Sequence, residues 1–156
     1  MAASSAPLVY FAGPLFTHAE QQWNATLAAV LETLGYRVLL PQRLVADLLE
    51  PGQPLPTEAM FELLVGRIRE ADAVVAILDG ADPDSGTSFE CGVAFALGTP
   101  VVGVRTDLRR GGDHPERDVN LMLAHGCVAL VKLSPGVEPD VADLAQRLSA
   151  ALGATP

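Results

Sequence analysis

Five short apolar runs punctuate this chain, and between them apolar residues recur at spacings of three and four. Leu8–Ala12, Tyr36–Leu40, Ala73–Leu78, Pro100–Val104 and Cys127–Val131 are the runs, each bounded by glycine, proline or polar residues, and each reads as a strand. Thr17 and Glu20 form a capping box before a helix that carries Trp23, Leu27, Val30, Leu31 and Leu34 on one face and stops at Gly35. A short helix is expected over Arg43–Leu49, followed by a loop in which Pro51, Gly52, Pro54 and Pro56 forbid regular structure. Further helices are predicted over Glu58–Glu70, Thr87–Leu97, Val119–His125 and Val137–Leu152, with a polar loop from Thr106 to Asp118 that holds Gly111-Gly112. Strands that alternate with helices predict an α/β fold, a doubly wound five-stranded parallel sheet with helices on both faces. No repeat and no long linker divides the chain. One domain over residues 1–156 is expected, with its core at about 8–133 and a closing helix at about 137–152.

Composition narrows the functional classes. At 156 residues and 49% apolar, the chain can bury a proper core. No apolar run reaches the roughly 20 residues of a membrane span. Ala2–Pro7 is too short and polar for a signal peptide, so a cytoplasmic location is expected. The net charge is −9, and the one basic cluster (Arg105, Arg109, Arg110) is diluted by Asp107 and Asp113, which argues against a nucleic-acid polymer as partner. Cys91 and Cys127 lie in apolar surroundings and read as buried, reduced thiols; His18, His114 and His125 are isolated. Neither a metal nor a cofactor is expected.

The candidate chemistry sits in residues 79–92. An apolar strand leads into Asp79-Gly80-Ala81-Asp82-Pro83-Asp84-Ser85-Gly86-Thr87, and a helical pattern leads out. Such a loop lies at the carboxyl ends of the strands, where α/β sheets bind ligands. Glu90 follows in the first helical turn, where a nucleophile or general base would be held rigidly. A structural role competes: Thr87-Ser88-Phe89-Glu90 also fits a capping box. Likewise Asp84 fits a turn, Tyr10 a strand aromatic and Asn120 a helix start. The lysine of a phosphate loop, a G-x-G-x-x-G turn and a G-x-S-x-G elbow are all missing.

Taken together, these segments resemble the nucleoside 2-deoxyribosyltransferase family. Val9-Tyr10-Phe11-Ala12-Gly13-Pro14-Leu15-Phe16 is similar to its opening motif, Asp82–Gly92 to its central motif, Gly98–Gly103 to the continuation, and Val119-Asn120-Leu121-Met122 to a late N-L-M segment. The resemblance covers about residues 8–133. It implies a flavodoxin-like (Rossmann-like) domain that transfers 2-deoxyribose between nucleobases through a covalent glutamyl intermediate. It further implies Glu90 as nucleophile, Tyr10 as the group that orients it, and Asp84 as holder of the sugar 5′-hydroxyl. Gly13, Leu15 and Phe16 fall beside the base, and Asn120 and Met122 fall where a neighbouring subunit completes the site. The implied partners are a deoxynucleoside, a free nucleobase and further copies of the chain, in a dimer-based homo-oligomer that could be a tetramer or hexamer. One departure stands out. Leu64 occupies the place of an aspartate that supplies the base with a proton in better-known members, and the nearest acids are Glu62 and Glu58.

Two other readings remain open from sequence. A hydrolase of nucleoside 5′-monophosphates would use Ser85, Thr87 or Arg105 for the phosphate, but Asp84 accepts from a hydroxyl and repels a phosphate. A non-catalytic nucleotide-binding module would explain the missing aspartate.

Overall fold

The five apolar runs form five strands: β1 (Leu8–Ala12), β2 (Arg37–Leu39), β3 (Ala73–Ile77), β4 (Val101–Arg105) and β5 (Ala129–Lys132). The computed structural model describes residues 6–113, 118–133 and 140–154. All neighbouring strands pair in parallel, in the order β2-β1-β3-β4-β5. This is the flavodoxin-like arrangement, and its topological switch point lies between β1 and β3.

Six helices connect and cover the sheet among the described residues: α1 (His18–Thr33), α2 (Pro41–Leu44), α3 (Thr57–Glu70), α4 (Ser85–Leu97), α5 (Leu121–Gly126) and α6 (Val141–Gly153). The chain first builds outward from β1 to β2, then returns across β1 to β3, β4 and β5. Right-handed crossovers then put helices on opposite faces. Val9, Phe11, Val75, Ile77, Val102 and Val104 face α1 and α6. Tyr10, Ala12, Val74, Ala76, Leu78 and Val101 face α3, α4 and α5. Burial of both faces is why the central strands read as unbroken apolar runs.

Several boundaries differ from the sequence prediction. Pro41 does not merely end β2: it occupies the first position of α2, where its missing N–H costs nothing. The helix expected over Arg43–Leu49 is broken into α2 and a 3₁₀ turn at Ala46–Leu48. The predicted start of α6 at Val137 lies outside the described residues, and Asp140 caps the observed helix through the amides of Ala142 and Asp143. The capping box of α1 is as predicted, with Thr17 Oγ1 accepting from Glu20 N at 3.2 Å and Thr17 N donating to Glu20 Oε2 at 2.8 Å.

At the carboxyl edge of the sheet, Gly111 and Gly112 let the loop after β4 pack against the loop after β3. Gly112 has φ of +85°, and a Cβ there would come within 2.5 Å of the Val119 carbonyl group. Gly112→Ala is therefore expected to lower unfolding stability by about 2 kcal/mol or more, read from the urea midpoint. A midpoint equal to that of the parent would contradict this packing. No helix among the described residues is long and apolar enough to cross a membrane.

Candidate active site

Tyr10 and Glu90 lie 80 positions apart in sequence, and the fold joins them. Tyr10 projects from β1 into the face covered by α4 and is fully buried. Its hydroxyl donates to Glu90 Oε1 at 2.5 Å. Glu90 lies one and a half turns into α4 and is half-buried. The Glu90 carboxyl is raised to about 7: burial pushes it up, the bond from Tyr10 pulls it partly back, and the negative charge of Asp84 adds to the rise. The Tyr10 hydroxyl is raised well beyond its ordinary value, first by burial and then by the charge of Glu90. An ionised carboxylate here is thus poorly solvated, oriented by one strong donor, and titrates near neutrality. Those are the properties of a nucleophile or base waiting for an electrophile.

The capping-box role for Glu90 fails. The cap of α4 is Asp84, whose Oδ2 accepts from Thr87 N at 2.8 Å and from Thr87 Oγ1 at 3.1 Å. The helix therefore begins at Ser85, two residues earlier than expected, and Glu90 is too far along it to reach the cap. The reason is chemical: aspartate outcompetes threonine as a cap because its carboxylate also meets the positive end of the helix. Asp84 Oδ1 takes no hydrogen bond among the described residues, so one oxygen remains for a ligand.

The loop after β1 follows the strand that carries Tyr10. Asn24, buried in α1, donates to Pro14 O at 2.8 Å, and Gln21 Nε2 donates to Leu15 O at 2.8 Å. Gly13 sits so near Ile77 and Asn24 that a Cβ would stand 3.2 Å from Ile77 Cγ1. This anchoring leaves Leu15 half-buried and Phe16 77% exposed. Gln42, at the start of α2, donates to Gln21 O at 2.9 Å while its Oε1 is buried without a partner among the described residues. Sequence reading did not single out Gln42, which lies three residues beyond the end of β2. Leu64 is half-buried on α3 and packs in the cluster that contains Tyr10, whereas Glu58 and Glu62 are exposed.

Asn120 and Met122 stand apart from this group. Asn120 caps α5, its Oδ1 accepting from Met122 N at 2.8 Å and its Nδ2 donating to Asp113 at 3.1 Å. Met122 is 73% exposed and lines a groove of about 230 Å³ with Ser88, Cys91, Phe95 and Cys127. Glu90 is not among the residues lining that groove. Cys91 is buried as expected, but Cys127 is only half-buried; burial raises the two thiols to about 12 and about 11.

Two suggested phosphate ligands are spent elsewhere. Thr87 is 1% exposed with its hydroxyl on Asp84, and Arg105 is 1% exposed with Nη1 and Nη2 on backbone carbonyls and Nε buried without a partner among the described residues. Ser85 alone of the three is exposed.

An α/β domain with a half-buried carboxylate at the switch point of its sheet carries that group where doubly wound proteins bind their ligands. Comparison with known proteins narrows that class. The sequence model for nucleoside 2-deoxyribosyltransferases matches residues 9–122. The chain belongs to that family, whose members act on N-glycosidic bonds. Among solved structures, a conserved protein from Enterococcus faecalis V583 superposes with a TM-score of 0.73 at 26% identity, covering 92% of this chain and 98% of that one. The 2-deoxyribosyltransferase of Bacillus psychrosaccharolyticus gives 0.71 at 25% identity, covering 93% and 95%. A CMP N-glycosidase of Clostridium botulinum shares the fold, with 0.58 at 18% identity and coverage of 92% and 98%. No curated protein sequence matches the chain.

Proposed function

We propose that the protein exchanges the base of a 2′-deoxynucleoside, with Glu90 as the covalent nucleophile. The Glu90 carboxylate attacks C1′ as the N-glycosidic bond breaks. The bonding pair leaves with the base nitrogen, which takes up a proton. The transition state is oxocarbenium-like, as in glycoside hydrolysis. A second base then attacks C1′, expels the carboxylate and sheds its own proton, so the sugar is transferred with net retention. Splitting the reaction at an ester turns one difficult displacement into two easier ones. Water in place of the second base gives hydrolysis.

The observation that carries this reading is the 2.5 Å bond from Tyr10 to Glu90 inside the family's matched segment. The hydroxyl fixes one carboxylate oxygen and leaves the other for C1′. Asp84 Oδ1 suits the 5′-hydroxyl, a donor that asks for an acceptor. The loop of Gly13, Leu15 and Phe16 suits the apolar faces of the base, and Gln42 Oε1 suits an N–H on its edge. The similarity to the Bacillus psychrosaccharolyticus 2-deoxyribosyltransferase favours transfer. A 5′-monophosphate hydrolase is the competing reading, favoured by the exposed Ser85 and opposed by the charge of Asp84.

Incubation with a deoxynucleoside, with and without a free acceptor base, tests the proposal. Exchange of base supports it. Free deoxyribose in both reactions means a hydrolase, and an unchanged nucleoside means a binding module.

The same reading includes a homo-oligomer in which Asn120 and Met122 serve a neighbour's site. Phe61, Phe89, Phe95, Leu121 and Met122 are exposed on α3, α4 and α5, an unusual concentration for a chain of 5% aromatic content. Light scattering is expected to report a dimer or a multiple of it at micromolar concentration. A fully active monomer would remove this part of the proposal.

A further inference from the structure

Arg105 is among the largest fully buried side chains, yet it has no carboxylate partner within 4 Å among the described residues. Its Nη1 donates to Leu78 O at 2.6 Å and Gly80 O at 3.0 Å, and its Nη2 donates to Arg109 O at 2.8 Å. The first two acceptors belong to the strand end and loop after β3; the third belongs to the loop after β4. Two aspartates stitch the same loops reciprocally. Asp79, after β3, accepts from the amides of Thr106 and Asp107 at 2.6 and 2.9 Å and from the Thr106 hydroxyl. Asp107, after β4, accepts from Gly80 N at 3.1 Å and pairs with Arg109. Gly112 N closes the far end on Ala81 O at 3.4 Å.

A hydrophobic core has little reason to hold a guanidinium here. Burial of a charge against neutral carbonyls is costly. What the group achieves is geometric: one planar fork satisfies carbonyls from two loops at once. The first loop runs into Asp84, the cap of α4. The second continues through Asp113, which holds Asn120 Nδ2 and Leu121 N at 3.1 and 3.0 Å.

We propose that Arg105 is a positioning residue: with Asp79 and Asp107 it locks the loop carrying Asp84 to the loop carrying Asn120, so one buried guanidinium sets both the segment that holds the sugar and the segment offered to a neighbour's site. Glu90 lies outside the clasp, since Tyr10 orients it from β1. The arrangement therefore separates the device that places the sugar from the group that attacks it.

Arg105→Lys and Arg105→Met test the inference by two measurements. In the ligand-free protein, hydrogen exchange in Arg105→Lys should accelerate about tenfold or more at the amides of Gly80, Thr106 and Asp107 and, together with them, at Thr87 and Leu121. Amides of β1 and β2 should not change. In the kinetic measurement, which rests on the proposed deoxyribosyl chemistry, KM for the deoxynucleoside should rise about tenfold in Arg105→Lys and further in Arg105→Met, with kcat within about threefold of the parent. Faster exchange on one loop only, uniformly faster exchange, or an unchanged KM in folded Arg105→Lys would overturn the inference. If Arg105→Met does not fold, Arg105→Lys decides. A parent protein with no action on deoxynucleosides would defeat the proposed chemistry and leave the exchange result standing.

Discussion

Glu90→Gln is expected to lose base exchange by about 10⁴-fold or more while becoming more stable than the parent at pH 8. The loss of activity follows from removing the nucleophile; an amide cannot form the ester. The gain in stability follows from the environment of the carboxyl. Its folded value of about 7 lies above the ordinary 4.5. A raised value means that the folded state holds the proton more tightly than the unfolded chain. Its contribution is therefore fully present below about pH 4.5 and is lost as the pH rises through about 7. Glutamine does not titrate and escapes that loss. The difference should open between pH 5 and 8 and reach on the order of 2 kcal/mol, a rise in Tm of roughly 4–8 °C. In the parent, kcat/KM should climb with pH through about 7 as the carboxylate forms. A sugar ester on Glu90 seen by mass spectrometry would support the covalent step directly. Retention of a tenth of the parent's turnover, or a less stable variant at pH 8, would refute the assignment.

The second large effect belongs to Asp84. A carboxylate and a phosphate about 4 Å apart repel by about 4 kcal/mol at an effective dielectric near 20. A deoxynucleoside should therefore be preferred over its 5′-monophosphate by a hundredfold or more in kcat/KM. The structure makes Asp84→Ser a clean probe. Asp84 Oδ2 caps α4, and serine caps nearly as well, so the helix start is preserved while the charge is removed. The gap between the two substrates should narrow at least tenfold in this variant. Equal or better turnover of the monophosphate by the parent would point to the hydrolase, with Ser85 as the surviving phosphate ligand.

How much of the site was legible beforehand depends on how local each interaction is. Thr17 and Glu20 lie three residues apart, and their reciprocal bonds were readable as a pattern. Asp84 and Thr87 are equally close, but the pattern put the cap at Thr87 and Asp84 in a turn, and only the folded helix start showed that Asp84 is the cap. Tyr10 and Glu90 could be paired in advance only through family resemblance, because a strand aromatic and a helical glutamate 80 residues apart carry no local sign of contact. Arg105 was misread for a physical reason. A lone arginine beside other basic residues looks like an exposed cation, and nothing in its neighbours announces that two loops will offer it three carbonyls.

By itself the sequence determined the alternation of strand and helix, and with it the parallel sheet, because apolar periodicity and turn residues act over a few positions and right-handed crossovers leave few topologies. It also determined that Asp84 and Glu90 would follow a strand's carboxyl end. The tertiary structure decided what those positions mean. It removed the capping role that competed for Glu90 and raised that half-buried carboxyl to about 7, assigned one Asp84 oxygen to the helix, and withdrew Arg105 and Thr87 from the surface. Burial, charge proximity and the orientation of distant partners arise only when separate elements pack, and those three quantities set the chemistry of a carboxylate.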